Sequence, residues 1–246
     1  MESHKEKENI KMSNKVKKPQ NRENTVRVSG QETLEILMEY ITAAVMAVMC
    51  VAVSFYAKDG YNQIGNAKFA AYRMVTAVGF SVFLAAGAVL LSVRLCGRRR
   101  MQESFAANFS GYIKEKLSVT DFCVLAYLLF STLSVAAGGF YEDALWGSFG
   151  WNMGWMSQLS FVLIYVAVSR FGKYYRVILT VLCGSAMVVF LIAVLHRMLV
   201  DPIGFYEGLN GSQMAQFLST MGQATWYASY LVVALPVGVA VFLFAD

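Results

Sequence analysis

The sequence predicts an all-α fold: a polytopic transmembrane bundle of about six spans with its N-terminus in the cytoplasm. Of the 246 residues, 57% are hydrophobic and 15% are charged, whereas a soluble domain carries about 25% charged residues. The charges gather in the first thirty residues and in short clusters between long apolar runs, so the bilayer is the solvent that these runs fit. Lys and Arg also concentrate in alternate connections, as they do in multi-pass membrane proteins.

The first element is a polar segment, residues 1–31, which we interpret as a disordered, basic cytoplasmic tail. Lys, Glu and Asn dominate it, and it has no apolar periodicity. A secretory signal has an apolar stretch directly after its basic start, but here the first such stretch begins at Leu34. Ser29 and Glu32 have the spacing of a capping box, which predicts that a helix begins there.

Six apolar runs of near-spanning length follow and predict a transmembrane domain over residues 32–246. Each run is close to the roughly 20 residues with which a helix crosses the hydrocarbon, and the alternation of a membrane β-barrel is absent. On the second run, Ala77, Ser81 and Ala85 have the spacing of a close helix contact. The predicted spans are 34–57, 70–96, 119–140, 153–168, 175–200 and 226–244.

The basic residues orient these spans. With the N-terminus inside, eight Lys and Arg lie in the tail, six lie around the second-to-third connection, and three lie between spans four and five. Only four lie outside, which is the asymmetry that the positive-inside rule predicts. These four are Lys58, Lys68, Arg73 and Arg197.

The cytoplasmic connection between spans two and three contains a second predicted element. Met101, Phe105, Phe109 and Tyr112 recur at helical spacing with basic residues alongside. This pattern predicts a short amphipathic helix over residues 101–116 that lies on the membrane surface as an anchor.

Residues that carry chemistry are scarce. The chain has two histidines, His4 and His196, and its four cysteines form no CxxC pair, so we expect neither a metal site nor a cofactor. Asp121 follows Ser118 at the predicted start of span three, where an acid caps a helix. No Ser/His/Asp constellation, P-loop or dinucleotide fingerprint is visible, and the residues by themselves identify no enzyme class.

Two predicted outer connections are the most patterned parts of the chain. Residues 140–155 combine aromatic residues with glycines, which fits either an interfacial aromatic belt or a shaped lip over a groove. Residues 197–225 form the longest outer segment. It begins with Arg197, which suits either binding of a phosphate by paired hydrogen bonds or interfacial anchoring.

Parts of these connections resemble the O-antigen ligase and polymerase family. Residues 150–165 read Gly-Trp-Asn-Met-Gly-Trp-Met-Ser-Gln-Leu-Ser-Phe-Val-Leu-Ile-Tyr and run on to Ser169-Arg-Phe171, similar to an outer turn and the span after it. Residues 217–231 read Phe-Leu-Ser-Thr-Met-Gly-Gln-Ala-Thr-Trp-Tyr-Ala-Ser-Tyr-Leu, with Leu235-Pro-Val-Gly238 behind them. They resemble the family's STxGNxNxxxxYL signature and its apolar helix, and this second match is the more specific.

The resemblance implies a protein of cell-surface polysaccharide assembly in a bacterial plasma membrane. Such proteins handle undecaprenyl-pyrophosphate-linked glycan at the outer face and transfer it without a nucleotide sugar or a necessary metal. The implied partners are membrane lipid and a polyprenyl-linked oligosaccharide, with no nucleic acid. We expect the two patterned connections to form the binding groove, with no catalytic residue assigned. The expected substrate-binding residues are Arg197, Asp201, Glu207, Ser219, Gln223, Trp226 and Trp151.

The chain also departs from the family. Family members continue through further spans and a large outer loop with arginines and a histidine, whereas this sequence ends at Asp246. Trp151 and Asn152 stand where many relatives have an arginine, and Gln223 stands where asparagine is usual. We therefore expect the N-terminal portion of such a protein, or a truncated or degenerate relative that is inactive alone. The alternatives are a transporter or permease-type subunit and a non-catalytic scaffold. A transporter would show mid-span charges or interrupted helices, and only Pro236 interrupts a predicted span.

Overall fold

The structure is a computed structural model that describes residues 32–58, 60–98, 117–148, 150 and 152–244. In these parts of the chain it has eight helices and one two-stranded hairpin, which confirms the predicted all-α bundle. The predicted tail, the amphipathic segment 101–116 and Trp151 lie outside the described residues. The helices are α1 Glu32–Phe55, α2 Ile64–Arg98, α3 Val119–Ala137, α4 Tyr141–Trp146, α5 Trp155–Phe171, α6 Tyr175–Arg197, α7 Gly211–Gln216 and α8 Ala224–Leu243.

Five of the described helices are long and apolar enough to cross a membrane. They are α1, α2, α3, α6 and α8, and their membrane-length segments have 19 to 26 residues. By length and composition the chain is therefore a multi-pass membrane protein. The apolar α5 has 17 residues and is shorter, in agreement with the short fourth run of the sequence.

Helices α1 and α2 run antiparallel, as do α3 and α5, which gives the bundle two ends. Helix α1 finishes and α2 begins at one of these ends, which we call the hairpin end. We call the opposite end the tail end. A Cβ added to Gly79 on α2 would lie 2.6 Å from Val45 Cγ1 on α1, and one added to Gly87 would lie 3.7 Å from Met38 Cε. The two helices therefore pack through glycines. The predicted contact stripe of Ala77, Ser81 and Ala85 is exposed instead.

The tail end is marked by two ion pairs, one between α5 and α3 and one between the loop after α5 and α1. Arg170 Nη2 lies 2.8 Å from Asp121 Oδ2, and Lys173 Nζ lies 3.3 Å from Glu39 Oε2. Asp121 caps the start of α3 as expected, and the structure shows that it does so in a capping box with Ser118. These contacts bring the starts of α1 and α3 to the end of α5, as an up-and-down bundle requires.

Helix α2 begins six residues before the predicted start of the second span, and Lys68 therefore lies inside it. Its ammonium group donates hydrogen bonds to the carbonyl oxygens of Val53 at 2.6 Å and Ser54 at 3.0 Å. The last carbonyls of a helix lack intrahelical partners and carry partial negative charge. The carbonyl oxygens at the end of α1 therefore accept hydrogen bonds from Lys68, which the predicted spans had placed in a loop.

Candidate functional site

The first part of the segment that resembles the family signature forms a compact hairpin. We define this hairpin as residues 217–223. Strand β1, Phe217–Leu218, pairs antiparallel with β2, Gly222–Gln223, around a single 3-10 turn. Ser219 has φ of 56° and Gly222 has φ of 90°, in the left-handed region that side chains rarely enter. A Cβ on Gly222 would lie 2.9 Å from Ile64 Cγ2. The hairpin is therefore a sharply turned segment held against the start of α2.

A buried polar network holds this hairpin, with Ser219 at its centre. The Ser219 N–H donates to His196 Nδ1 at 3.1 Å, and its carbonyl oxygen accepts from the Tyr61 hydroxyl at 2.7 Å. Its side-chain hydroxyl donates to the carbonyl oxygen of Val189 on α6 at 2.6 Å. Ser219 is fully buried, with 0% of its surface exposed. We call Tyr61, His196, Asp201 and Ser219 the polar clamp.

Further bonds tie both sides of the hairpin to neighbouring elements. Thr220 Oγ1 donates to the carbonyl oxygen of Ser54 at the end of α1 at 2.7 Å. The Tyr206 hydroxyl donates to the carbonyl oxygen of Phe217 at 3.3 Å, and the Tyr61 ring stacks on Phe217 at a centroid distance of 4.8 Å. The hairpin thus contacts α1, α6 and two loops through directional interactions as well as apolar packing.

The hydrogen bond from the Ser219 N–H determines the tautomer of His196. A backbone N–H can only donate, so Nδ1 accepts and the proton of the neutral ring lies on Nε2. Nε2 is 3.3 Å from Asp201 Oδ1, but the two do not meet in hydrogen-bond geometry. We therefore regard this contact as an electrostatic attraction. His196 is 1% exposed, so the whole ring serves as a buried connector between α6, the hairpin and the following loop.

Asp201 is held as a carboxylate by backbone donors. Oδ2 accepts the Tyr206 N–H at 2.6 Å, and Oδ1 accepts the Ile203 N–H at 3.2 Å. Burial raises the pKa of Asp201, but the N–H groups of Tyr206, Phe205 and Ile203 outweigh it, so the pKa lies below the usual range. Burial also raises the pKa of the Tyr61 hydroxyl, which therefore stays protonated as a donor.

The clamp brings a serine, a histidine and an aspartate together, which the sequence analysis did not expect. Their roles differ from those of a nucleophilic triad, in which the imidazole accepts from the serine hydroxyl. Here His196 accepts from the serine backbone, and the Ser219 hydroxyl is occupied by the Val189 carbonyl. Because Ser219 is also fully buried, the constellation fixes the hairpin and offers no nucleophile at the surface.

The other expected binding residues lie around the clamp at the hairpin end. Gln223 is exposed on β2, and Trp226 is 49% exposed in the first turn of α8. Arg197, the last residue of α6, and Glu207, in the loop after it, are both exposed. No hydrogen bond or ion pair described for the chain joins Arg197 or Glu207 to the hairpin. The structure thus groups Asp201, Ser219, Gln223 and Trp226 around one hairpin, with Arg197 next in sequence to the clamp histidine.

Comparison of the chain with protein-family models, with curated proteins and with solved structures finds no match. The likeness to the O-antigen ligase and polymerase family accordingly rests on the two quoted sequence segments alone.

A row of three neutral amides lies at the same end and was not among the expected binding residues. Asn66 Nδ2 donates to Gln63 Oε1 at 3.0 Å, and Asn152 Nδ2 donates to Asn66 Oδ1 at 3.2 Å. We call Gln63, Asn66 and Asn152 the amide row. In the sequence, only the cluster of Asn62, Gln63 and Asn66 directly before a long apolar run could have pointed to this row. The contact between Asn66 and Asn152 depends on the fold.

A cavity of about 200 Å³ lies at the opposite, tail end, between α3 and α5. Apolar side chains line most of it, and Asp121, Tyr165 and Arg170 close one side. These three polar side chains bond one another, since Asp121 accepts from the Tyr165 hydroxyl at 2.9 Å and from Arg170 at 2.8 Å. The cavity is therefore separate from the expected binding residues and has its polar groups already paired.

Proposed function

We propose that the chain is a membrane protein of cell-surface glycan assembly that binds a polyprenyl-pyrophosphate-linked oligosaccharide at the outer face of a bacterial plasma membrane. The proposal rests on the burial and exposure of side chains in residues 217–231, the segment that resembles the family signature. Its Ser219 and Thr220 are buried and bonded to neighbouring elements, whereas Gln223 and Trp226 are exposed on the same short unit. Such a rigid support for a few exposed groups is typical of binding sites.

The exposed groups suit the parts of such a donor. A pyrophosphate requires cationic donors, and a guanidinium binds phosphate oxygens in pairs. Arg197 supplies this group directly after His196 of the clamp. The half-exposed indole of Trp226 combines a large apolar face with a polar N–H, which suits the boundary between lipid and water. The predicted orientation places both residues at the outer face.

Binding, and not nucleophilic catalysis by the clamp, is the activity proposed. The Ser219 hydroxyl, the His196 Nδ1 and the Tyr61 hydroxyl are all engaged within the clamp. A glycosyl transfer by this protein would therefore have to position its acceptor hydroxyl with other groups. The clamp's contribution is to hold the hairpin in the shape that presents Gln223 and Trp226.

The proposal predicts specific losses of donor binding. We would place the full chain in lipid nanodiscs and measure binding of undecaprenyl pyrophosphate, with and without a synthetic disaccharide, by native mass spectrometry. Arg197→Gln removes a charged donor and should weaken binding about tenfold, the scale of one hydrogen bond to a charged group. Trp226→Ala removes the aromatic face and should also weaken binding about tenfold, the upper scale of one aromatic contact.

The chain offers a matched control pair. Arg73 lies over the ring of Trp146 at 5.1 Å from its centroid, and Trp146 is 47% exposed. Arg73→Gln and Trp146→Ala therefore change another arginine and a comparably exposed tryptophan outside the hairpin. Binding that is unaffected by Arg197→Gln and Trp226→Ala, or equally affected by the control pair, would contradict the site assignment. No binding by the unaltered chain would reject the function.

A further inference from the structure

The amide row has a direction, and this direction leaves specific groups free. Each Nδ2 in the row donates toward the next side chain, from Asn152 to Asn66 and from Asn66 to Gln63. Among the residues that the structure describes, Gln63 Nε2 and Asn152 Oδ1 have no hydrogen-bond partner. The row therefore presents an unused donor group at one end and an unused acceptor at the other.

The local backbone holds the row in place. Gln63 directly precedes α2, and Asn66 lies in its first turn. Asn152 has φ of 51°, and its carbonyl oxygen accepts from the Ser157 hydroxyl at 2.7 Å. Gln63 is exposed, while Asn66 and Asn152 are half-buried. The amides are thus partly pre-ordered yet reachable, which lowers the entropy that a ligand must overcome on binding.

An aromatic ring packs on the turn of α2 that carries Asn66. The Trp226 ring lies so close to α2 that a Cβ on Gly65 would be 3.3 Å from Trp226 Cη2. Gly65 directly precedes Asn66, so the indole and the amide row meet the same turn of α2. Because Trp226 is 49% exposed, part of the indole remains available to a ligand at this turn.

We propose that the amide row and Trp226 form a subsite for a neutral pyranose ring. The C–H groups of a pyranose pack on an indole, and its hydroxyls, each both donor and acceptor, match a free amide donor and a free amide acceptor. The row contains no charged side chain, so it is suited to a neutral sugar and not to a phosphate. The inference rests on the proposed function, since it assigns the glycan part of the donor to this subsite.

Saturation-transfer NMR tests the subsite with sugars alone. The full chain in nanodiscs would be mixed with the methyl pyranosides of glucose, galactose, mannose and N-acetylglucosamine at millimolar concentration. We expect transfer to the ring protons of at least one of them. Gln63→Glu keeps the oxygen that accepts from Asn66 but removes the free donor, so it should weaken that sugar's binding about fivefold, the scale of one neutral hydrogen bond.

A second variant and a matched control complete the test of the subsite. Asn152→Gly removes the free acceptor and tolerates the left-handed backbone, so it should weaken binding similarly. Asn62→Ala removes an exposed amide just outside the row and should leave binding unchanged. No saturation transfer to any sugar, or an equal loss in Asn62→Ala, would overturn the subsite.

The two proposals fail in distinguishable ways. If undecaprenyl pyrophosphate binds but Gln63→Glu leaves the affinity for the disaccharide-bearing lipid unchanged, the subsite is wrong and the proposed function stands. If the pyranosides bind through the amide row but neither form of the lipid binds, the subsite stands and the proposed function is wrong.

Discussion

Ser219 shows how one residue can be essential to a site without contacting a ligand. Its N–H, carbonyl and hydroxyl groups are buried, and each has a partner: His196 and Val189 on α6, and Tyr61 in the loop between α1 and α2. A buried polar group that loses its partner costs about 1–3 kcal/mol. His196, Val189 and Tyr61 therefore hold Ser219 in a backbone conformation that serine rarely adopts, and these bonds fix the shape of the hairpin.

At the residue scale, Asp201 predicts how this arrangement responds to pH. Its native pKa lies below the unfolded value of about 3.9. The carboxylate therefore contributes stability that is present above about pH 4 and is lost as pH falls through the native pKa. Asp201→Asn should lower the melting temperature at pH 7, and the difference from the unaltered chain should shrink on acidification below pH 4.

Thermal unfolding in detergent across this pH range checks the prediction. Asp143→Asn is the control, because Asp143 is an exposed carboxylate on α4 and should have little effect at any pH. A melting-temperature difference for Asp201→Asn that is constant from pH 7 to pH 3 would show that the loss does not come from the carboxylate's charge.

At the element scale, glycine determines how closely α1 and α2 approach. Membrane helices gain little from burying apolar groups against each other, because lipid is equally apolar, so close packing at small residues matters more. Gly79 is buried under Val45, whereas Ala77, Ser81 and Ala85 are exposed. Small-residue spacing therefore identified a helix that packs closely but predicted the wrong face of it.

Gly79→Ala should loosen the contact between α1 and α2. The added methyl would lie 2.6 Å from Val45 Cγ1, and overpacking of this kind costs about 1–3 kcal/mol. Unfolding by denaturant in mixed micelles measures the change. The control is Gly184→Ala on α6, where an added Cβ meets nothing within 4 Å, so no loss of stability is expected.

A double variant identifies the cause. Val45→Ala removes the two methyl groups that the new Cβ would strike, so the pair Gly79→Ala and Val45→Ala should be more stable than the sum of the single effects indicates. Strict additivity would mean that the loss arises from somewhere other than this helix contact.

At the scale of the whole molecule, the two ends of the bundle differ in chemistry. The tail end pairs cations with acids, as in Lys173 with Glu39 and Arg170 with Asp121. The hairpin end instead collects the amide row, aromatic rings and the buried clamp. This separation places the candidate site at one end and leaves the predicted basic face at the other.

The predicted orientation can be tested by labelling with a membrane-impermeant maleimide. In a background without Cys50, Cys96, Cys123 and Cys183, Lys58→Cys at the hairpin end should be labelled in intact cells. Lys173→Cys at the tail end should be labelled only after permeabilisation, because cation-rich segments stay in the cytoplasm. The reverse pattern would place the candidate site inside the cell and would remove the basis for an outer-face donor.

Local properties of the sequence were sufficient for the helices and several of their ends. Apolar runs of spanning length predicted the long helices, because lipid leaves backbone groups no partner except their own helix. Ser118 and Asp121 predicted the start of α3, because a capping box involves residues only three apart. The start of α2 was predicted too late, since Lys68 counted as a loop residue until the end of α1 supplied its partners.

The candidate site depended on contacts that no local pattern contains. The hydroxyl of Tyr61 meets the carbonyl of Ser219 across 158 positions of the chain, and Asn66 meets Asn152 across 86. The sequence by itself determined that the chain forms apolar helices and that residues 217–231 stand out among its loops. Only the tertiary structure decided that Ser219 is buried, that His196 and Tyr61 hold it, and that Trp226 packs on the first turn of α2. Helix formation depends on near neighbours, whereas the burial and partners of a polar group depend on how distant elements pack.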